Sequence, residues 1–369
     1  MSTPHAVLAA GGTGGHMFPA QSLAEELLRR GWRVTLASDA RGMRYAGGFP
    51  GAVARQELAA ATTARGGLTA KLAAPVTLLR GVWQARRWML ADRPDVVIGF
   101  GGYPAAPAMA AAVALGIPRL IHEQNNVLGR ANRLFVRGVH TLACGIGVPG
   151  NTPPGVRSVE TGNPVRGAAL AVAGRAYVSP EVPPGKDDPV RLLVFGGSQG
   201  ASVLSEMLPP ALSFLPDALR ARVHVTQQAR EAEIGALTDD YAAADITRVE
   251  AAPFFDDMPA RIADAHLVVA RAGASTCAEL AVIGRPSILI PLPTAMSDHQ
   301  SANAGWLADA GAAVAVAQAD LTPEALGRII GELLADPARL SRMAGAATGI
   351  ARPDAAVRLA DLVGEVAGR

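Results

Sequence analysis

Val7-Leu8-Ala9-Ala10-Gly11-Gly12-Thr13-Gly14-Gly15-His16 carries an apolar run straight into a turn almost free of side chains. A helical pattern follows, with Ala20, Leu23, Ala24, Leu27 and Leu28 on one face, Pro19 near its start and Gly31 at its end. Residues 32–37 then read as a second strand, which completes a β–turn–α–β unit. The same passage from strand to glycine turn recurs three times. It is seen at Val96-Val97-Ile98-Gly99-Phe100 before Gly101-Gly102-Tyr103, and at Leu192-Leu193-Val194-Phe195 before Gly196-Gly197-Ser198-Gln199-Gly200. It is seen again at Leu267-Val268-Val269-Ala270 before Arg271-Ala272-Gly273-Ala274-Ser275-Thr276. Such turns let backbone N–H groups and a helix N-terminus face a bound anion. Two fall in each half of the chain, which predicts two nucleotide-type α/β domains, each a doubly wound parallel sheet, facing one another.

Composition agrees with this class. The 369 residues are 50% hydrophobic but only 4% aromatic, which favours closely packed helices on parallel sheets over a β-sandwich. A net charge of +2 is too mild to imply a nucleic-acid partner. The two cysteines, Cys144 and Cys277, show no metal-ligand spacing and suit a reducing cytoplasm. The N-terminus lacks the basic and apolar regions of a signal peptide. The longest apolar stretch, residues 104–117, falls short of the roughly 18–20 residues of a membrane span, so a soluble or peripheral protein is expected.

Further strands of the first sheet are expected at 95–100, 119–122, 141–144 and 158–160. Gly162-Asn163-Pro164-Val165-Arg166 reads as a hinge, because Asn-Pro disfavours continued helix. The second sheet is expected at 191–195, 223–226, 247–250, 267–270, 287–291 and 313–316. Domains of 1–165 and 166–351 follow, with a C-terminal helix in 352–369 that crosses back to the first.

Several polar groups sit at strand carboxyl ends, where open α/β sheets bind ligands. His16 stands at the mouth of the first turn, as a general base or as a loop histidine that bonds phosphate or backbone. His122-Glu123-Gln124-Asn125 ends another strand, as a ligand-facing cluster or a turn and cap. Past Gly273, helix N–H groups are placed for a diphosphate, and Glu279 one turn deeper for a ribose diol. Asp298-His299-Gln300 and Asn303 are either sugar readers or a helix cap. Asp39 keeps a dinucleotide reading open, as the ribose partner of a nicotinamide cofactor, although the G-x-G-x-x-G fingerprint is incomplete. No D-x-D occurs, so a metal-chelated nucleotide is not signalled, and no metal site or cofactor is expected.

Arg65, Lys71, Arg80, Arg86, Arg87 and Arg93 stand against Asp92 alone across residues 65–93. Leu72, Val76, Leu79, Val82, Trp83 and Trp88 are interleaved. This pattern suits an anionic membrane surface, or equally an amphipathic helix that covers the sheet with its charges in water.

Together these motifs resemble the MurG family of N-acetylglucosaminyltransferases. The resemblance is carried by residues 11–16, 95–104 (DVVIGFGGYP), 121–125 (IHEQN), 162–166 (GNPVR), 196–201 (GGSQGA), 255–258 (FDDM), 271–279 (RAGASTCAE) and 298–303. It covers nearly the whole chain, in family order. It implies a GT-B glycosyltransferase fold, two Rossmann-like domains facing a cleft, with UDP-N-acetylglucosamine as donor. The implied acceptor is undecaprenyl-diphosphate-linked N-acetylmuramoyl-pentapeptide, joined through an inverted β-1,4 bond at the cytoplasmic face of the bacterial inner membrane. Other cell-wall synthesis proteins are implied as partners. By motif, Thr13, Gly14, Gly15, Asn125, Arg166, Ser198, Phe255, Ala274, Ser275, Thr276, Glu279 and Gln300 would contact the donor. His16 and Glu123 are the implied catalytic residues, with Tyr103 and His122 towards the acceptor. One departure stands out: Thr226-Gln227-Gln228-Ala229 replaces the family's His-Gln-x-Gly. Rival readings are a UDP-sugar epimerase of the same fold, a nicotinamide oxidoreductase, and a non-catalytic UDP-sugar sensor.

Overall fold

The computed structural model describes residues 3–12, 14–61, 68–180, 188–196, 202–295 and 298–369, and for 68–72 the backbone alone. The chain divides into two compact units, Met1–Arg166 with Arg352–Arg369, and Gly167–Ala351.

The first unit runs β1 (His5–Ala9), α1 (Gly14–Arg29), β2 (Arg33–Ser38), α2 (Ala40–Met43), β3 (Ala54–Glu57), α3 (Leu68–Ala91) and β4 (Val96–Gly99). It continues through α4 (Ala106–Ala114), β5 (Arg119–Glu123), α5 (Arg130–Phe135), β6 (Thr141–Cys144) and β7 (Ser158–Glu160). The strands form one parallel sheet in the order β3-β2-β1-β4-β5-β6-β7. Side chains alternate across it. Leu8, Val34, Leu36 and Ile98 pack under α1, while Val7, Ala9, Val97 and Ile121 pack under α3 and α4. Burial on both faces is why the central strands read as unbroken apolar runs.

The second unit runs α6 (Gly167–Val172), β8 (Val190–Phe195), α7 (Ser202–Leu212), α8 (Asp217–Arg220), β9 (Val223–Gln228), α9 (Ile234–Ala243), β10 (Arg248–Ala252) and α10 (Met258–Asp264). There follow β11 (Leu267–Ala270), α11 (Ala274–Ile283), β12 (Ser287–Leu289), α12 (His299–Asp309), β13 (Ala313–Ala315), α13 (Pro323–Leu334) and α14 (Pro337–Ile350). Its parallel sheet has the order β10-β9-β8-β11-β12-β13. Leu204, Leu208, Tyr241, Leu326 and Ile330 belong to the core on one face.

The last helix, α15 (Ala355–Ala367), belongs to the first unit. Leu359, Ala360, Leu362 and Val363 enter the core beneath α1. Three ion pairs flank them: Arg30–Asp361 at 2.6 Å, Arg157–Glu365 at 2.6 Å and Arg369–Asp95 at 2.9 Å. They are largely solvated, so the apolar contacts carry the docking.

In each sheet the strand order reverses beside its first strand, between β1 and β4 and between β8 and β11. Open α/β sheets bind ligands outside the carboxyl ends of the strands at such a point. The glycine turns lie there.

Candidate active site

In the first unit, the turns after β1 and β4 pack against one another. A Cβ on Gly11 would lie 2.6 Å from Ser38 Oγ and 2.7 Å from Pro104 Cβ. One on Gly102, whose φ is +73°, would lie 2.7 Å from the Gly11 carbonyl oxygen and 3.3 Å from the His16 ring. The glycines thus make room for the half-buried His16 imidazole. Its Nδ1 lies 2.9 Å from Gln124 Oε1. Gly14 and Gly15 open α1 beside it; Thr13 lies outside the described residues.

Arg166 belongs to the same cluster. Ser22 Oγ donates to the Val165 carbonyl at 2.8 Å, and the Arg166 guanidinium stacks 4.9 Å from the Phe18 ring centroid. This fastens the 162–166 segment to the first turns of α1, with a cation near the helix start. Asn163, 3% exposed, has neither side-chain atom hydrogen-bonded among the described residues.

Three expected roles need correction. The Glu123 carboxylate is 2% exposed and accepts from Asn125 N, Asn125 Nδ2, Gly129 N and Asn132 Nδ2. So many donors fix it as an anchor that orients Asn125 and the turn before α5, not as a group free to take a proton. His122 is fully buried, with Nε2 3.1 Å from the Gly162 carbonyl oxygen, and meets no acceptor surface. Tyr103 donates its hydroxyl to Asp39 Oδ2 at 2.9 Å, while Asp39 Oδ1 caps α2 through Gly42 N at 2.8 Å. Asp39 is therefore engaged within the fold, which removes the ribose partner of the nicotinamide reading. The same bond ties the half-buried Tyr103 of the β4 turn to the start of α2.

In the second unit, α11 begins at Ala274 with Gly273 as its N-cap and no side-chain cap. Its first N–H groups meet no side-chain cap among the described residues and carry the positive end of the helix dipole. Ser275 Oγ there is buried without a hydrogen-bond partner among the described residues. Thr276 is half-buried, and Glu279 lies one turn deeper, 6% exposed. Neighbouring loops are tied to this helix start. Arg271 donates to the carbonyls of Ile290 and Pro291 at 3.0 and 3.1 Å and to Gln318 Oε1 at 2.8 Å. Asn303 Nδ2 donates to the Ala272 carbonyl at 3.1 Å, and Gln300 Oε1 accepts from Leu292 N at 2.9 Å. Asp298, the N-cap of α12, takes a left-handed φ of 52°. These ties bring Gln300 and the α11 N-terminus to the same end of the sheet.

Phe255 is buried under Arg261, whose guanidinium lies 4.2 Å from its ring centroid, so the ring serves packing. Ser198 lies outside the described residues. In the divergent stretch, buried Gln227 donates to Ser205 Oγ at 3.1 Å and accepts from the Tyr241 hydroxyl. Its amide is a core polar link rather than a ligand contact. A cavity of about 160 Å³ lined by Arg175, Arg191, His266 and Arg285 lies at the amino-terminal end of the central strands β8 and β11. Arg285 in it already donates to the Ala263, Ile283 and Gly284 carbonyls.

Models of the glycosyltransferase family 28 N-terminal and C-terminal domains match residues 6–143 and 191–359. A protein of Methylorubrum extorquens is 49% identical over 99% of this chain and 98% of its own length. Its name is UDP-N-acetylglucosamine–N-acetylmuramyl-(pentapeptide) pyrophosphoryl-undecaprenol N-acetylglucosamine transferase. A relative of the same name from Phenylobacterium zucineum is 50% identical over 98% of both chains. The crystal structure of Acinetobacter baumannii MurG superposes with a TM-score of 0.80 at 33% identity, covering 98% of this chain and 99% of that one. A UDP-glucosyltransferase from Polygonum tinctorium, at 14% identity and a TM-score of 0.72, covers 100% of both chains and shares the fold alone. The chain thus belongs to glycosyltransferase family 28, among the MurG-type N-acetylglucosaminyltransferases, and has the GT-B fold.

Proposed function

We propose that this chain transfers N-acetylglucosamine from UDP-N-acetylglucosamine to the 4-hydroxyl of undecaprenyl-diphosphate-linked N-acetylmuramoyl-pentapeptide, with inversion. The observation that carries the reading is the start of α11: among the described residues its N-terminus has no side-chain cap and the buried Ser275 hydroxyl has no hydrogen-bond partner, with Glu279 one turn below. Helix N–H groups suit the diphosphate, and the carboxylate suits a ribose diol. Ala274, Ser275, Thr276, Glu279 and Gln300 hold the donor in this reading. On the first unit, Gly14, Gly15, Asn125 and Arg166 are the donor contacts of this reading, a helix start and a cation of the kind that stabilises a leaving diphosphate. His16 takes the acceptor proton. UDP release should require both UDP-N-acetylglucosamine and the lipid-linked muramoyl acceptor. Release from UDP-N-acetylglucosamine alone, or with equal efficiency from UDP-glucose, would contradict the proposal.

The acceptor's lipid remains in the bilayer, so the protein works at the cytoplasmic face of the inner membrane in this reading. No helix among the described residues is long and apolar enough to cross a membrane. Helix α3 supports a peripheral contact. Ala74, Gly81, Ala85 and Met89 form its buried face. On the other side, Val76, Leu79, Trp83 and Leu90 are exposed, at 70%, 69%, 59% and 55%. Arg80, Arg86 and Arg87 stand exposed among them, with Arg87 stacked on Trp83 at 5.6 Å, and none is in an ion pair among the described residues. Arg65 and the Lys71 side chain lie outside the described residues. An apolar strip that projects past the core, set in cations, fits an anionic lipid surface. Each cation near such a surface contributes about 1 kcal/mol. Reversing Arg80, Arg86 and Arg87 to Glu should therefore release the protein from anionic vesicles in sedimentation. Turnover of a short-chain, water-soluble acceptor should persist. Unchanged sedimentation of the folded variant would rule out this contact.

A further inference from the structure

The hydrogen bonds behind His16 form a chain whose proton positions can be read from one fixed end. The Gly162 carbonyl oxygen can only accept, so His122 Nε2, 3.1 Å away, carries a hydrogen. Burial pushes His122 down to about 4, so its ring is neutral at pH 7 and Nδ1 keeps a lone pair. The Gln124 side chain places one atom 3.1 Å from that Nδ1, 3.0 Å from the Phe100 carbonyl oxygen and 2.9 Å from the His122 carbonyl oxygen. All three neighbours are acceptors, which identifies the atom among them as the amide nitrogen. The amide oxygen then faces His16 Nδ1 at 2.9 Å. Oε1 can only accept, so His16 donates from Nδ1.

We propose that Gln124 is a positioning residue that holds His16 as the Nδ1–H tautomer and thereby presents Nε2 as the atom that takes the acceptor's proton. The chain runs from the 162–166 segment through two buried side chains to the mouth of the first glycine turn, within one unit. Gln124 is 1% exposed and His122 is fully buried, so solvent does not compete for the bonds between them and to the Gly162 and Phe100 carbonyls. The neutral and protonated forms of His16 both carry a hydrogen on Nδ1, so the bond to Gln124 persists through the reaction. In the step itself, the proton of the muramoyl 4-hydroxyl passes to His16 Nε2 as that oxygen bonds to the anomeric carbon. The bond from that carbon to the diphosphate oxygen breaks, and its electron pair leaves with UDP. The imidazolium then donates a charge-assisted bond from Nδ1 to Gln124 Oε1, which strengthens as charge develops.

The role in catalysis rests on His16 being the base; the tautomer does not. Two-bond 1H–15N correlation spectra of protein labelled at histidine nitrogens report the tautomer directly, with the His16 signals identified by their loss in His16→Ala. Wild-type protein at pH 8 should show His16 protonated at Nδ1 and bare at Nε2. The opposite pattern would overturn the proposal without recourse to any Gln124 variant. Gln124→Met, which removes the acceptor, should move His16 towards the Nε2–H form. It should lower kcat about tenfold or more, within the range for impaired general base catalysis, with KM for UDP-N-acetylglucosamine little changed. An unaltered His16 pattern in Gln124→Met would overturn the proposal. A shifted tautomer with unchanged kcat would uphold the tautomer control and overturn the assignment of His16 as the base.

Discussion

Replacing His16 with alanine should lower kcat by about 10²–10⁴-fold, the usual worth of a positioned general base, while UDP-N-acetylglucosamine still binds. The imidazole sits where the first two glycine turns meet, and Gln124 holds its ring. The groups proposed to hold uridine and diphosphate lie mainly on the second unit, so donor affinity should survive. Calorimetry with UDP-N-acetylglucosamine beside single-turnover kinetics separates the two effects. The main alternative, Glu123, is buried beneath four hydrogen-bond donors. Replacing Glu123 with Gln should therefore disturb the 123–132 turn and stability more than the chemical step. Near-normal turnover in His16→Ala would remove His16 from the mechanism and leave proton transfer to water.

The second large effect is expected at Glu279. Its carboxylate is buried one turn inside α11, below the uncapped N-terminus. Loss of a hydrogen bond to a charged group costs about 1.5–3 kcal/mol, which corresponds to roughly 10- to 150-fold in Kd. Glu279→Ala should weaken UDP-N-acetylglucosamine and UDP by that amount, with KM for the lipid-linked acceptor almost unchanged. Binding of uracil alone, which has no ribose, should be indifferent to the substitution. Unaltered UDP affinity by calorimetry would refute the assignment. Equal losses for uracil and UDP would instead indicate a disturbed helix start.

Much of the fold is legible because the central strands are buried on both faces and read as apolar runs. Residues 141–144, 158–160 and 267–270 are strands with the expected limits. Others, such as Val223–Gln228, extend by a residue or two into polar positions that pairing to a neighbour strand, not hydropathy, keeps extended. Strand β3 escaped the sequence reading. Its Ala-Arg-Gln-Glu has no apolar face, and as an edge strand it is held by backbone pairing to β2.

The candidate site is legible where backbone chemistry defines it and obscure where burial does. Glycine turns and the α11 start announce themselves through residue type. Nothing in the order His122-Glu123-Gln124-Asn125 says which side chains turn inward. In the structure the first two are buried links, and Gln124, read only as part of that cluster, holds the imidazole. Asp39 and Tyr103 each look ligand-facing alone, and their mutual hydrogen bond is a tertiary fact.

The return of α15 to the first unit has a consequence for biosynthesis. A ribosome makes this chain from the N-terminus, yet the core beneath α1 lacks Leu359, Leu362 and Val363 until the last helix has emerged. Residues 167–351 form a compact unit that is fully synthesised before that moment. The order of completion is therefore the reverse of the order of translation: the second unit can close while the first still exposes an apolar groove along α1. During that interval the nascent first unit is the aggregation-prone part. A truncation that removes α15 would injure the half of the protein that was translated first.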